Sequence, residues 1–243
     1  MALPLLTTCG LSDPRLPGLT LIKQQSAVDG SFLIASVLGH RLKSDKDARI
    51  LLVACHHGYS HYSSACLKLA FNLSSARESG QLQVLDVGAE VFRNYPIGPS
   101  VDTIRERIEQ ALASSPKVTV IIDDLTHLLN YGHTESELID LVEQLMVRRT
   151  GSEQSFVIKL NTADLFERLC ANLDDMAQTV IQLDQMSSGN FREVNGRLSV
   201  SRRPADDGND LLCVLQPEKS VLYKVNDKNV RIFVPGEIGI KHL

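Results

Sequence analysis

Short runs rich in branched apolar residues recur along the first three quarters of the chain, and the segments between them carry apolar residues at helical spacing. The runs are GLTLIKQQ (18–25), RILLVAC (49–55), QLQVLDV (81–87), KVTVIIDD (117–124), SFVIKLN (155–161) and QTVIQLD (178–184). All six read as strands; RILLVAC, a continuous apolar run, and KVTVIIDD predict strands buried on both faces. Helices are predicted over 31–42, about 61–72, 101–114, 134–149 and about 163–173. In the 101–114 segment Val101, Ile104, Ile108 and Leu112 form one apolar stripe, with charge on the other face. Ser100 is the expected cap of that helix and Pro116 marks its exit. Thr134 and Glu137 stand at capping-box spacing ahead of the 134–149 helix.

Beyond residue 185 the rhythm changes. Asn195-Gly196, with strand residues on both sides, predicts a tight hairpin. LLCVLQ (211–216), SVLYKV (220–225) and VRIFV (230–234) predict further strands, and SRRPADDGND (201–210) reads as a loop. One domain is expected over 1–243: an extension at 1–17, an α/β core at 18–185, and antiparallel strands at 186–243. Strands alternating with helices predict a mostly parallel sheet with right-handed crossovers, covered on both faces. With antiparallel C-terminal hairpins added, that is an α/β fold with a RecA-like (P-loop NTPase-type) core.

Composition narrows the function classes. With 43% hydrophobic and 22% charged residues over 243 positions, the chain can bury a large core. No apolar run reaches about 18 residues, so no membrane partner is expected. The first residues lack a basic n-region and a full h-region, so no secretory signal is expected. Cys9, Cys55, Cys66, Cys170 and Cys213 are odd in number and share no CxxC spacing, which fits free thiols in a reducing compartment. A net charge of −4 matters for nucleic acid, because unaided phosphate grip needs clustered lysine and arginine. RNA binding by this chain therefore requires a local basic surface or basic partners.

Ligands of such sheets sit at the carboxyl ends of the strands. The first loop there is Gln25-Ser26-Ala27-Val28-Asp29-Gly30-Ser31. A working phosphate loop reads GxxxxGK[ST], with the lysine on the terminal phosphates and the hydroxyl on magnesium. Gly30 fits the second glycine, but Ser31 replaces the lysine and Phe32 the hydroxyl residue. Asp29 adds a negative charge beside the would-be phosphates. Asp123, at the end of VIID, stands where an acid would hold magnesium; its plainer reading is a polar strand end. Asp29, Gly30, Ser31 and Asp123 thus outline a degenerate nucleotide site.

Three other constellations were weighed. Cys55, His56, His57, His61 and Cys66 supply zinc-ligand types, but no paired spacing joins a second half, so no metal is assigned. Gly58-Tyr59-Ser60-His61-Tyr62 resembles a nucleophile elbow, yet Tyr62 stands where glycine is needed. His127, His133 and His242 complete no triad. Arg192, Arg197, Arg202 and Arg203 form the densest basic stretch, read as an RNA-facing surface or as a charged strand edge. No tryptophan is present and aromatics are scarce, so no base-stacking platform is expected.

DGSFLI (29–34), GYSHYSSACLKLAFNLSSARESGQL (58–82), VIIDDL (120–125) and NGRL followed by RRP (195–198, 202–204) carry a resemblance. The chain is similar to the sixth-subunit family of the Elongator complex, its accessory RecA-like subunits. The resemblance runs nearly full length, with a shorter middle at about 88–117. It implies a non-catalytic subunit that joins subunits four and five in a heterohexameric ring of RecA-like folds. Such a ring associates with the catalytic Elongator subunits, binds tRNA, and supports modification of the wobble uridine. It further implies no cofactor for the chain itself, with any ATP held at ring interfaces, and a cytoplasmic location with a nuclear pool left open. Pore loops would follow the fourth and fifth strands, at Leu128–Thr134 and Asn161–Ala163, with Tyr131 and His133 as RNA contacts. Two alternatives stay open: a residual NTPase using Asp123 at subunit interfaces, and a RecA-like DNA-repair paralogue.

Overall fold

The computed structural model describes residues 3–12, 18–94, 98–148, 153–186, 194–203 and 216–233. Among the described residues nine strands form one sheet: β1 (Gly18–Gln25), β2 (Arg49–Ala54), β3 (Leu82–Asp86), β4 (Val118–Asp123), β5 (Ser155–Thr162), β6 (Thr179–Asp184), β7 (Gly196–Arg202), β8 (Gln216–Val225) and β9 (Val230–Phe233). Their order is β3-β2-β4-β5-β1-β6-β7-β8-β9. The pairs from β3 to β6 are parallel, and those from β6 to β9 are antiparallel.

Alternation along each strand sends neighbouring side chains to opposite faces. Leu52, Ile121, Val157 and Ile181 enter one core; Val53, Ile122, Ile158 and Val180 enter the other. The first core is covered by α1 (Leu3–Cys9), α2 (Ser31–Ser44), α3 (Tyr59–Lys68) and α4 (Leu73–Glu78). The second is covered by α5 (Val87–Arg93), α6 (Val101–Ser114), α7 (Glu135–Arg148) and α8 (Glu167–Met176).

Several local details follow the expectations. The Ser100 hydroxyl accepts from the Thr103 amide at 3.1 Å and caps α6. Thr134 and Glu137 satisfy each other's backbone amides ahead of α7, at 2.7 and 3.3 Å. Others differ. The segment expected as an extension contributes α1, whose Leu5, Leu6 and Cys9 are fully buried in the first core. Asn195-Gly196 makes no two-residue hairpin. Gly196 already pairs with Tyr223, and β7 runs between β6 and β8. Glycine is required there for close approach, since a Cβ would lie 2.5 Å from the Asp184 carbonyl oxygen. The strand expected at 211–216 lies outside the described residues except for Gln216.

Candidate functional site

β1, β4 and β5 end at one edge of the sheet, and alternation carries Gln24, Asp123 and Lys159 to the face covered by α2 and α3. Asp123 is fully buried. The Lys159 ammonium forms an ion pair with one carboxylate oxygen, and both side chains are inaccessible to solvent. The Tyr62 hydroxyl, from α3, donates to the other oxygen. The carboxylate that would hold magnesium is thus neutralised and enclosed by the chain's own groups. Burial, with Asp123 alongside, pushes the Tyr62 phenol far above its ordinary value. Lys159 was missed by the sequence reading. The usable signal was a lysine inside a run that predicts burial on both faces, because a buried ammonium needs an anion on a neighbouring strand.

The first loop is equally self-contained. The Gly30 amide donates to the Gln24 side-chain oxygen at 2.7 Å. The Ser31 amide and hydroxyl donate to the two Asp29 carboxylate oxygens, at 2.8 and 2.7 Å. A helix N-terminus is a ready seat for an anion, and at α2 the Asp29 carboxylate occupies it. Burial works against this charge, but the two Ser31 bonds, Lys159 and His57 together hold the carboxyl below its ordinary range. A Cβ on Gly30 would lie 2.9 Å from Leu183 and 3.0 Å from Gln24, so the loop is also closely packed. The Gly30 and Ser31 amides, which would face a phosphate, are already bonded to protein.

Beside this edge four imidazoles gather. His57 and His61 stack at 4.0 Å between ring centroids, His56 lies 4.1 Å from His57, and His127 lies 5.0 Å from His56. Burial first, and the neighbouring imidazoles next, lower the pKa of His57 and His127. The two cysteines of this sequence region point elsewhere. The Cys55 thiol faces the Val53 carbonyl, and Cys66 donates to the Ala35 carbonyl at 3.5 Å. Burial pushes the Cys66 thiol up to about 12, so it rests protonated. Ser60 is exposed and has no hydrogen-bonded imidazole among the described residues, so the nucleophile-elbow likeness ends at sequence. A groove of about 1000 Å³ adjoins the edge, lined by Asp29, Phe32, His61, Lys68, Asn195 and Tyr223.

The remaining candidates are dispersed. Tyr131 ends a 3-10 helix (Leu125–Tyr131); its hydroxyl donates to the Cys55 carbonyl at 3.4 Å and its ring stands edge-on to His127. His133 is half-buried ahead of α7. Arg203 donates to the Ala177 and Asp174 carbonyls at 2.8 and 2.9 Å, closing the C-terminal end of α8. The Arg202 guanidinium lies against Gly10, within reach of any Cβ placed there. Both arginines stand at the β6 start, opposite the Asp29 edge. Arg197 is exposed and pairs with Asp184 at the near edge; Arg192 lies outside the described residues.

The sequence profile described as "Elongation complex protein 6" matches residues 10–93. Elongator complex protein 6 of Drosophila melanogaster is 36% identical, with 99% of this chain and 100% of the relative covered. The Xenopus tropicalis and Homo sapiens proteins of the same name are 28% and 24% identical, each over at least 86% of both chains. Among solved structures, a KaiC-like protein from Pyrococcus horikoshii has a TM-score of 0.61 at 10% identity, covering 89% of each chain. The flagellar accessory protein FlaH from Methanocaldococcus jannaschii has a TM-score of 0.64 at 11% identity, covering 90% of this chain and 91% of its own. The fold is therefore RecA-like.

Proposed function

This chain belongs to the Elongator complex protein 6 family, and from that premise we propose that it serves as a non-catalytic RecA-like subunit of the assembly. In this reading it joins subunits four and five in a heterohexameric ring. The ring holds tRNA for the catalytic subunits that modify the wobble uridine, in the cytoplasm. One observation carries the non-catalytic part: Asp123 is enclosed by Lys159 and Tyr62 while Asp29 fills the anion seat at α2. Both elements of nucleotide chemistry are occupied by the chain itself, so ATP hydrolysis in a ring would rest on other subunits and their interfaces.

Co-expression with subunits four and five, followed by mass measurement of the purified complex, tests the ring. The expected result is six chains in equal stoichiometry; a stable monomer that ignores both partners would overturn it. Magnesium-dependent ATP binding by the chain alone, abolished by Asp123→Asn, would instead favour the residual NTPase reading.

A further inference from the structure

We infer that Asp29, His57 and His61 form a binding site for a divalent transition-metal ion of zinc-like preference. Each residue offers one ligand atom, and the three atoms lie within 4.8 Å of one another. They come from two elements: Asp29 from the loop after β1, and His57 and His61 from the entry to α3. One pair, His57 Nε2 and Asp29 Oδ1, is separated by 3.9 Å. Around a tetrahedral ion with bonds of about 2.0–2.1 Å, ligand atoms stand roughly 3.4 Å apart. The set must therefore close by about an ångström, a motion open to half-buried imidazoles and to a carboxylate with 56% of its side chain exposed.

A second observation points to a ligand. His61 Nε2 is buried and has no hydrogen-bond partner among the described residues. A buried ring nitrogen left without a partner carries a desolvation cost that coordination would remove. Two imidazoles and one carboxylate suit zinc and its neighbours better than magnesium or calcium, which prefer all-oxygen shells. Three protein ligands leave a fourth position for water, and Asp29 and His61 both line the adjoining groove. The histidine-rich loop noted in the sequence thus acquires its third ligand from Asp29 and none from Cys55 or Cys66. The ion would pin the loop after β1 to α3. The site stands whether or not the chain enters a ring.

The test uses the full-length chain stripped with a chelator, titrated with zinc against a chromophoric competitor, and melted with and without zinc. The expected result is one equivalent bound and a zinc-dependent rise in Tm, since a ligand for the folded state stabilises it by mass action. Asp29→Asn and His61→Gln should each weaken binding by more than the roughly 10–100-fold that loss of an outer-shell partner costs. His40→Gln, on α2 and bonded to the Ser12 carbonyl, should bind as the unmodified chain does. Asp29→Asn keeps the shape of a mostly exposed side chain, so its metal-free melting curve reports whether folding is intact. Absence of zinc binding, or binding undiminished in Asp29→Asn and His61→Gln and therefore located at other ligands, would overturn the inference.

Discussion

At the scale of single residues, the buried pair decides what the sheet edge can do. Lys159 and Asp123 are both inaccessible to solvent, so each depends on the other for its charge. Removing one partner of such a pair leaves an uncompensated buried charge, at about 3–5 kcal/mol, whereas replacing both with apolar groups is often neutral. Lys159→Met is expected to lower the unfolding free energy measured by urea denaturation by that amount, and Lys159→Met with Asp123→Leu to recover most of it. A single substitution without measurable cost would show that the pair is not the closure described. The imidazoles give a second expectation. His57 and His127 have folded pKa values below the ordinary 6.5, so the unfolded chain binds more protons as pH falls. Stability then rises with pH through this window, and it is lost as pH drops from about 6.5 through the lower folded values. Denaturant midpoints measured between about pH 7 and pH 5, in chelator, should fall less steeply for His57→Gln with His127→Gln than for the unmodified chain.

At the scale of elements, legibility followed length and periodicity. β2 and β4 were readable because burial on both faces gives unbroken apolar runs, and α6 and α7 because fourteen residues complete several turns of a stripe. α4 and α5, at six and seven residues, are too short to show a period; each is held by a cap, Asn72 and Asp86 respectively. α1 failed to announce itself for the same reason, although its leucines enter the first core. Asn195-Gly196 misled because its glycine answers to a backbone approach from β6, a tertiary cause that no local pattern contains. Caps are where sequence and structure agree most closely, and they can be measured. Ser100→Ala removes the acceptor for the Thr103 amide and should cost about 1 kcal/mol in chemical denaturation. Glu137 offers a pH signature instead. Its bonds from Thr134 hold its carboxyl below the ordinary value, so its contribution is present above that value and fades as pH falls through the lowered one.

At the scale of the whole molecule, the candidate site was half legible. The missing phosphate-loop lysine is a plain substitution in the sequence, whereas the enclosure of Asp123 needs Lys159 and Tyr62, 36 and 61 positions away along the chain, to be brought together by the fold. The same distinction bears on RNA. The arginines at 192, 197, 202 and 203 look like one basic surface in sequence, but Arg203 is committed to the end of α8 and Arg202 packs against Gly10, at the edge opposite Arg197. The charge of the three described arginines is not gathered at one edge, and the chain carries −4 overall. Affinity for a nucleic-acid backbone scales with the phosphates neutralised and the counterions released. The isolated chain is therefore expected to bind tRNA no more tightly than about 10⁻⁶ M near physiological salt, the range of non-specific contacts. Its affinity should also vary only shallowly with salt. Fluorescence anisotropy across a salt series checks both, and the assembly with subunits four and five should bind more tightly and with a steeper slope. Tight binding by the chain alone, weakened by Arg197→Ser, would mean that one exposed arginine marks a basic surface extending into residues beyond those described. In that case the chain would grip tRNA directly, without depending on its neighbours for positive charge.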